Sequence, residues 1–310
     1  MLTPGPAAGK NFAIIGVGGY IAPRHLDAIK ELGGNLLAAF DKNDSVGIMD
    51  RYFPDCQFFT DFERFESFLQ NLKLEKKAVD FISICSPNYM HLPHLQFTLR
   101  MGADAICEKP LVLHALDVDQ LITLERQTGK RVFTVLQLRV HDAILSLKKK
   151  VEAEHASKGG AKYVVDLEYM TSRGQWYHES WKGDLRKAGG LSTNIGVHFF
   201  DMLTWIFGPA KEIKMFEKTD TVEKGYVELD NAKVNWMLTI DKARLPLDAI
   251  AAGKTTFRSI KIDGADFEFS EGFTELHKKV YTDVLEGRGY GLEHAKPAIA
   301  IVEKIREMKV

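Results

Sequence analysis

The chain has 310 residues, 45% hydrophobic and 27% charged, with a formal net charge of −1. This length favours two domains, each able to bury a core, and near-neutrality removes the electrostatic case for nucleic acid or an anionic membrane surface as partner. No apolar run approaches membrane-spanning length. The three cysteines, Cys56, Cys85 and Cys107, lack the paired spacing of a disulfide framework or a zinc site.

Residues 1–10 are rich in Pro, Gly and Ala and lack the apolar core of a signal peptide. They are expected to form a flexible tail on a cytoplasmic protein. Asn11–Ile15 reads as a short strand that stops at Gly16-Val17-Gly18-Gly19-Tyr20-Ile21-Ala22, with a helix over Pro23–Leu32 ended by Gly33-Gly34. Strand, glycine turn and helix in that order are the context a dinucleotide fingerprint requires. Gly16 permits the tight turn, Gly18 lets backbone N–H groups approach a pyrophosphate, and the helix N-terminus stabilises its charge. Ile21 stands at the third glycine position, so the match is imperfect. The next strand, Leu36–Phe40, ends in Asp41, where an acid accepts hydrogen bonds from ribose hydroxyls and repels a 2′-phosphate, favouring NAD over NADP.

The alternation continues with a weak strand at Gln57–Phe59 and a helix over Phe62–Leu72, for which Asp61 is the expected N-cap. The strand Asp80–Cys85 empties into the loop Ser86-Pro87-Asn88-Tyr89-Met90-His91. A helix to Met101, the strand Asp104–Cys107, a helix at Asp117–Thr128 and the strand Val132–Leu136 complete six strands. This is an α/β pattern, a Rossmann-type doubly wound, mostly parallel sheet over residues 11–137. Glu108-Lys109-Pro110 follows the fifth strand, and a Lys there lies where such sheets bind ligands. Pro110 fixes the backbone beyond it, and a cis bond would set the lysine's direction. Taken alone, a Lys-Pro pair after a strand is a solvated loop; the surrounding alternation gives it meaning. Cys85 and Cys107 read as small buried thiols. His91 and His94, three apart with no carboxylate or thiol partner, give no metal site.

Residues 138–310 read as an α+β domain for substrate binding and oligomerisation, with a large open, mostly antiparallel sheet. A helix is expected over His141–Glu154, with Lys148-Lys149-Lys150 on a solvated face. Tyr163–Tyr169 alternates as a half-buried strand. Further strands are expected at Glu212–Lys218, Tyr226–Leu229 and Ala232–Asp241, the last two joined through Asp230-Asn231. Thr255–Ile262 and Asp266–Phe269 pair through Asp263-Gly264, and helices close the chain at Phe273–Leu285 and His294–Met308.

Candidate chemistry in this half lies between Thr171 and Asp201. Trp176, Tyr177 and Trp181 are able to stack on a base or sugar, and Arg173, Lys182, Arg186 and Lys187 to meet a diphosphate. A loop packed over the sheet with solvated cations is the competing reading. Gln137 and Arg139 are further candidates for a carboxylate or phosphate. Gly189-Gly190 opens a helix ending near Phe207, in which Asn194 and His198 are four apart on one face, followed by Asp201. An imidazole there is able to act as a general base near neutral pH.

The order and spacing of Gly16-Val17-Gly18-Gly19, Ser86-Pro87-Asn88, Glu108-Lys109-Pro110 and Gly189-Gly190 with Asn194 and His198 resemble one family. It is the glucose–fructose oxidoreductase, inositol dehydrogenase and rhizopine catabolism (Gfo/Idh/MocA) family of NAD(P)-dependent dehydrogenases, and the resemblance runs from Asn11 onward. It implies a Rossmann domain, a carboxy-terminal domain whose open sheet supports dimers or tetramers, and NAD as cofactor. The implied cofactor contacts are Gly16, Gly18, Gly19, Tyr20, Ile21, Asp41, Ser86, Pro87, Asn88, His91, Glu108, Lys109 and Gln137.

Lys109 would lie by the substrate hydroxyl and nicotinamide, and His198 would be the base. Asn194 stands where most of the family has Asp; an amide holds a hydroxyl but takes no proton, which moves the base role to His198 with Lys109 assisting. Asn194, Tyr20–His25 and the run from Ser172 to Gly183 look like a branch that oxidises C3 of UDP-N-acetyl-D-glucosaminuronate for bacterial surface polysaccharide (O-antigen). The implied substrate contacts are Lys109, Arg139, Arg173, Trp176, Trp181, Lys182, Asn194 and His198, with 2-oxoglutarate as a recycling oxidant. No metal, nucleic acid or membrane partner is expected. The rival readings are a dehydrogenase of another sugar or polyol and a non-catalytic NAD-sensing module.

Overall fold

The computed structural model describes residues 5–44, 46–154, 160–269 and 272–310. The chain forms two compact units. The first takes in the chain up to Val112, then Leu116–Gln137 and Thr274–Ala295; the second takes in Leu113–Ala115, Leu138–Phe273 and Lys296–Val310. Helix Leu276–Leu285 therefore belongs to the first unit, although it follows residue 138. Its buried stripe of Leu276, His277, Val280, Tyr281 and Val284 explains this, because Tyr281 packs near the Phe12 ring at 6.3 Å and bonds Ser83 Oγ at 2.6 Å.

The first unit is built on strands β1 (Asn11–Ile15), β2 (Asn35–Phe40), β3 (Gln57–Phe59), β4 (Phe81–Ile84), β5 (Asp104–Cys107) and β6 (Val132–Thr134). They lie in the order β3-β2-β1-β4-β5-β6, every pair parallel. Short apolar runs suit this sheet because strands covered on both faces have no wet side to alternate towards; all four residues of β4 are buried. The strand order reverses between β1 and β4, so the loops leaving those two strands are neighbours at the carboxyl edge, where open α/β sheets bind ligands.

Helix Ala22–Glu31 leaves the first of these loops with Pro23 in its opening turn, where a missing N–H costs no helical bond. Asp61 stands at the expected N-cap of helix Phe62–Leu74 in an extended conformation, but its side chain makes no capping bond. Of the expected tail, residues 1–4 lie outside the described residues. Residues 5–10 are docked: Ala7 is fully buried and its N–H donates to Leu32 O at 3.0 Å.

The second unit carries β7 (Tyr163–Thr171), β8 (Ala210–Lys218), β9 (Val222–Leu229), β10 (Ala232–Thr239), β11 (Thr256–Ile262) and β12 (Ala265–Asp266), in the order β12-β11-β7-β10-β9-β8. The sheet is mostly antiparallel, as expected, with one parallel pair, β7 and β10. Tyr163, Val165 and Leu167 are buried while Val164 and Asp166 are exposed, the alternation seen in the sequence. Asp263 (φ 51°) and Gly264 (φ 80°) make the tight turn between β11 and β12. The last strand is shorter than expected: beyond Asp266 the Phe267 N–H still donates to Ile260 O at 2.8 Å, after which Phe269 turns into the core, its ring stacked on Phe267 at 5.6 Å. Helices Asp142–Glu154 and Val197–Phe207 line one face with residues 298–305, around a core that holds Trp236 edge-on to Phe200 at 5.3 Å. Among the described residues no helix is long and apolar enough to cross a membrane.

Candidate active site

In the first unit the glycine turn is held by contact and charge. Gly16 has φ +86°, and a Cβ added there would lie 2.6 Å from Ser86 N and 2.7 Å from the Cys85 carbonyl carbon. Only glycine lets the loops after β1 and β4 meet this closely. Gly18 N–H donates to Asp41 Oδ2 at 2.8 Å and Asn43 N–H to Oδ1 at 3.0 Å. The Asp41 carboxylate is therefore fixed at the end of β2; Asn43 Nδ2 is a second donor to Oδ1 at 3.3 Å, which leaves a lone-pair site on Oδ2. Gly19 lies close behind, where a Cβ would be 3.1 Å from Gly16 O. Tyr20 is 97% exposed, and Ile21 precedes the helix without a side-chain cap.

The loop after β4 is braced from behind. Ser86 Oγ bonds His94 Nδ1 at 2.8 Å, and burial pushes His94 down to about 4. Pro87 precedes a short 3-10 turn that contains the buried Asn88. His91 places its two ring nitrogens 2.8 Å from Ser86 O and 2.7 Å from Pro110 O. This histidine, expected among the cofactor contacts, ties the loop after β4 to the loop after β5 through their backbones. Burial pushes Cys85 and Cys107 well above the ordinary thiol range, which leaves both inert as nucleophiles.

Behind Lys109 lies a cluster that no local pattern announces. Glu108 Oε1 receives His25 Nε2 at 3.0 Å and His277 Nε2 at 2.8 Å, while Oε2 accepts the Lys109 N–H at 3.2 Å. His25 Nδ1 meets Tyr281 Oη at 2.7 Å, and Tyr281 Oη meets Ser83 Oγ. One proton arrangement satisfies the whole chain: Ser83 donates to Tyr281, Tyr281 to His25, and both imidazoles to an ionised Glu108. Burial pushes His25 down and keeps it neutral. Burial alone would raise Glu108, but the two imidazole bonds overcome it and hold the carboxyl well below its ordinary range. His25, Glu108 and His277 would also suit a metal ion, their ligand atoms lying within 4.8 Å of one another; here those atoms serve hydrogen bonds. Lys109 itself is half-buried and joined to Pro110 by a cis peptide bond.

In the second unit Gly189 and Gly190 both have positive φ, 84° and 85°. The expected regular helix opens instead with a π-helical turn, Ser192–Gly196, before helix Val197–Phe207. Such turns recur at functional sites, and this one carries Asn194. Glu223 anchors it, accepting from the Ser192 N–H at 2.8 Å and from the Ser192 hydroxyl; burial raises the Glu223 carboxyl against those bonds. Asn194 Nδ2 donates to Tyr177 Oη at 2.8 Å, which orients the amide. Tyr177, expected to stack, is 3% exposed and acts as the partner of Asn194. His198 is half-buried, edge-on to Tyr169 at 6.0 Å and 4.1 Å from the Phe199 ring.

The run from Arg173 to Lys187 folds as three short helical turns, Gln175–Glu179, Trp181–Gly183 and Leu185–Ala188, the last two capped by Ser180 and Asp184. Lys182 Nζ lies 5.3 Å from the Trp176 ring and 4.6 Å from the Trp181 ring, and Trp176 is 53% exposed. Arg173 is exposed, whereas Arg186 and Lys187 pair locally with Asp184. Arg139 is placed differently from expectation. It is buried in a bidentate pair with Asp201, at 3.0 and 2.7 Å, with its guanidinium 5.4 Å from the Trp205 ring. Its donors brace helix Val197–Phe207 from within. Gln137 carries a buried Oε1 with no partner among the described residues.

A parallel six-stranded sheet with Gly16 and Asp41 at its carboxyl edge and Lys109 after β5, joined in one chain to a unit built on a mostly antiparallel sheet, is the architecture of a two-domain, dinucleotide-dependent oxidoreductase. Residues 10–136 match the family description "Oxidoreductase family, NAD-binding Rossmann fold", and residues 160–262 match "Oxidoreductase family, C-terminal alpha/beta domain". The chain belongs to the Gfo/Idh/MocA oxidoreductase family.

Among solved structures it is similar to the WlbA (WbpB) dehydrogenase from Thermus thermophilus, crystallised with NAD and alpha-ketoglutarate and with NAD and UDP-GlcNAcA. The identity is 47% over 97% of this chain and 96% of that one, with a TM-score of 0.92. The WlbA dehydrogenase from Bordetella pertussis, at 18% identity over 96% and 94% of the two chains, shares the fold with a TM-score of 0.77. The D-glucoside 3-dehydrogenase of Escherichia coli is 26% identical over 42% of this chain and 36% of its own length. The chain spans 36–39% of the length of five curated relatives it matches.

Proposed function

We propose that this protein is an NAD-dependent dehydrogenase that oxidises the C3 hydroxyl of UDP-N-acetylglucosaminuronate to a 3-keto sugar nucleotide. The observation that carries this reading is the 47% identity, across 97% of the chain, with a dehydrogenase crystallised with NAD and UDP-GlcNAcA. The residues fit the cofactor. Gly16 and Gly18 leave room at the backbone where a Cβ would collide, and Asp41 offers a fixed carboxylate suited to an unphosphorylated ribose. Bound NAD would supply the acceptor for the hydride leaving C3.

His198 is assigned as the base that takes the hydroxyl proton, because Asn194 in its amide form has no proton-accepting role. Asn194, oriented by Tyr177, and Lys109 hold the hydroxyl oxygen and stabilise charge developing on it. Trp176, Trp181, Lys182 and Arg173 are assigned to the UDP moiety, through aromatic faces and cations suited to a base and a diphosphate. Alpha-ketoglutarate in the similar enzyme supports a 2-oxo acid as the oxidant that returns the cofactor to its starting state. A cytoplasmic homo-oligomer, dimer or tetramer, that feeds acetamido-uronic sugars to a surface polysaccharide is the setting this chemistry suits.

The test is product analysis by mass spectrometry with NAD and UDP-N-acetylglucosaminuronate, with and without 2-oxoglutarate, against UDP-N-acetylglucosamine, UDP-glucuronate and inositol. A product two mass units lighter from the N-acetylated uronate supports the reading. Oxidation of inositol alone overturns it and leaves the family membership standing.

A further inference from the structure

Among the described residues Arg258 makes no ion pair, and Glu268 acts on it only through its field. The arginine lies on β11 opposite Tyr169 of β7, on the same side of the sheet as the neighbouring pair Ile260 and Leu167, both in the core. Its guanidinium carbon is 4.5 Å from the Phe273 ring, 4.9 Å from Phe269, and 5.9 Å from each of Tyr169 and Phe199. Ring faces attract a cation, but they leave the five N–H donors of a guanidinium without ordinary acceptors. Among the described residues no carboxylate or carbonyl bonds this guanidinium, and its Nε is buried without a partner. Arg139 shows the contrast, since the same unit gives that buried arginine both oxygens of Asp201. Burial pushes the Arg258 guanidinium down from its ordinary value, and the charges of Tyr169 and Glu268 offset that only in part.

Two of the four rings are shared with His198, which is edge-on to Tyr169 and 4.1 Å from Phe199. The Arg258 guanidinium is thus a neighbour of the imidazole assigned as base. In a uronate, C5 bears the carboxylate and is separated from C3 by C4 alone, so base and carboxylate receptor must lie within one sugar ring of each other. A diphosphate calls for several cations or a run of N–H groups; this cage supplies one planar fork, which matches one carboxylate.

We propose that Arg258 receives the substrate carboxylate and thereby selects an acidic sugar over its 6-hydroxyl counterpart, an inference that rests on the sugar-nucleotide reading above. A 2-oxo acid carries the same group and suits the same receptor.

The experiment compares wild type, Arg258→Met and Arg258→Lys on UDP-N-acetylglucosaminuronate and UDP-N-acetylglucosamine, with 2-oxoglutarate binding to the NAD-loaded protein measured by calorimetry. Arg258→Met is expected to raise KM for the uronate at least about thirtyfold, the scale for removing one partner of a desolvated charge pair. KM for the neutral sugar should stay unchanged, and Arg258→Lys should recover part of the loss. Unchanged NAD affinity and melting temperature show that the variants fold. Equal losses on both sugars, or unchanged selectivity, overturn the proposal. If wild type leaves the uronate unoxidised, the sugar reading falls, yet loss of 2-oxoglutarate binding in Arg258→Met still supports the receptor. Binding that survives the substitution, or no binding of either carboxylate by wild type, overturns it.

Discussion

Glu108→Gln is the substitution whose effect follows most directly from the hydrogen bonds. Glu108 is buried and accepts three of them, two imidazole N–H groups on Oε1 and the Lys109 N–H on Oε2. Glutamine preserves the shape but has one acceptor oxygen. If that oxygen faces the imidazoles, the amide NH2 meets the Lys109 N–H; if it is turned over, the NH2 meets both imidazoles. Either way a buried donor loses its acceptor, at about 1–3 kcal/mol, and the surviving bonds lose their charge assistance at about 1 kcal/mol each. A total near 3–5 kcal/mol is a large share of the roughly 5–15 kcal/mol that separates folded from unfolded chains.

The pH dependence has a definite sign. The carboxyl is depressed in the folded state, so its contribution is complete above the ordinary value of 4.5 and is lost as pH falls through the lower folded value. Urea unfolding of both proteins, at neutral pH and at steps below 4.5, should show a gap that narrows towards acid. A gap below about 1 kcal/mol at neutral pH, or one that does not narrow, would refute the arrangement of protons assigned to this cluster.

Gly16→Ala puts a methyl 2.6 Å from Ser86 N at φ +86°, so NAD affinity should fall at least about tenfold as the two loops separate; cofactor titration by fluorescence reads this. Tyr177→Phe removes the acceptor of the Asn194 amide and should lower kcat by about tenfold with NAD affinity unchanged; an unaltered kcat would mean that Asn194 needs no such hold. Asp201→Ala strands the Arg139 charge, which is 4% exposed, and should cost about 3–5 kcal/mol in denaturant unfolding. A small loss there would return Arg139 to the pool of substrate contacts.

Much of the first unit was legible because its cues are local. A strand, Gly16, a helix, a second strand and Asp41 follow one another within 31 residues, and backbone geometry forces what comes next at each step. The backbone restraint at Pro110 was likewise legible from one dipeptide, whereas its cis bond was read from the structure. The Glu108 cluster was not, because His25 and His277 are 83 and 169 residues away and each reads as a polar residue on an amphipathic helix. The pair of Arg139 with Asp201, 62 residues apart, was hidden similarly, and an arginine near a site invites assignment to a ligand before a distant acid is known. The parallel pairing of β7 and β10 depends on which strands become neighbours, and alternation within a strand carries no such information. The π-helical turn at Ser192–Gly196 was masked by a sequence compatible with an ordinary helix; the adjoining glycines were its only hint. Arg258 gave no cue, since a lone arginine in a strand acquires meaning only when four rings close around it.

The central claim is that the hydrogen at C3 of the sugar leaves with its electron pair for the nicotinamide. UDP-N-acetylglucosaminuronate deuterated at C3 is the direct probe, with the bound cofactor extracted and weighed by mass spectrometry after a single turnover without 2-oxoglutarate. Deuterium on the reduced cofactor, and its appearance in 2-hydroxyglutarate once 2-oxoglutarate is added, is the expected result. A 3-keto product formed with no label on the cofactor, or full retention of deuterium at C3 in every product, would contradict the account.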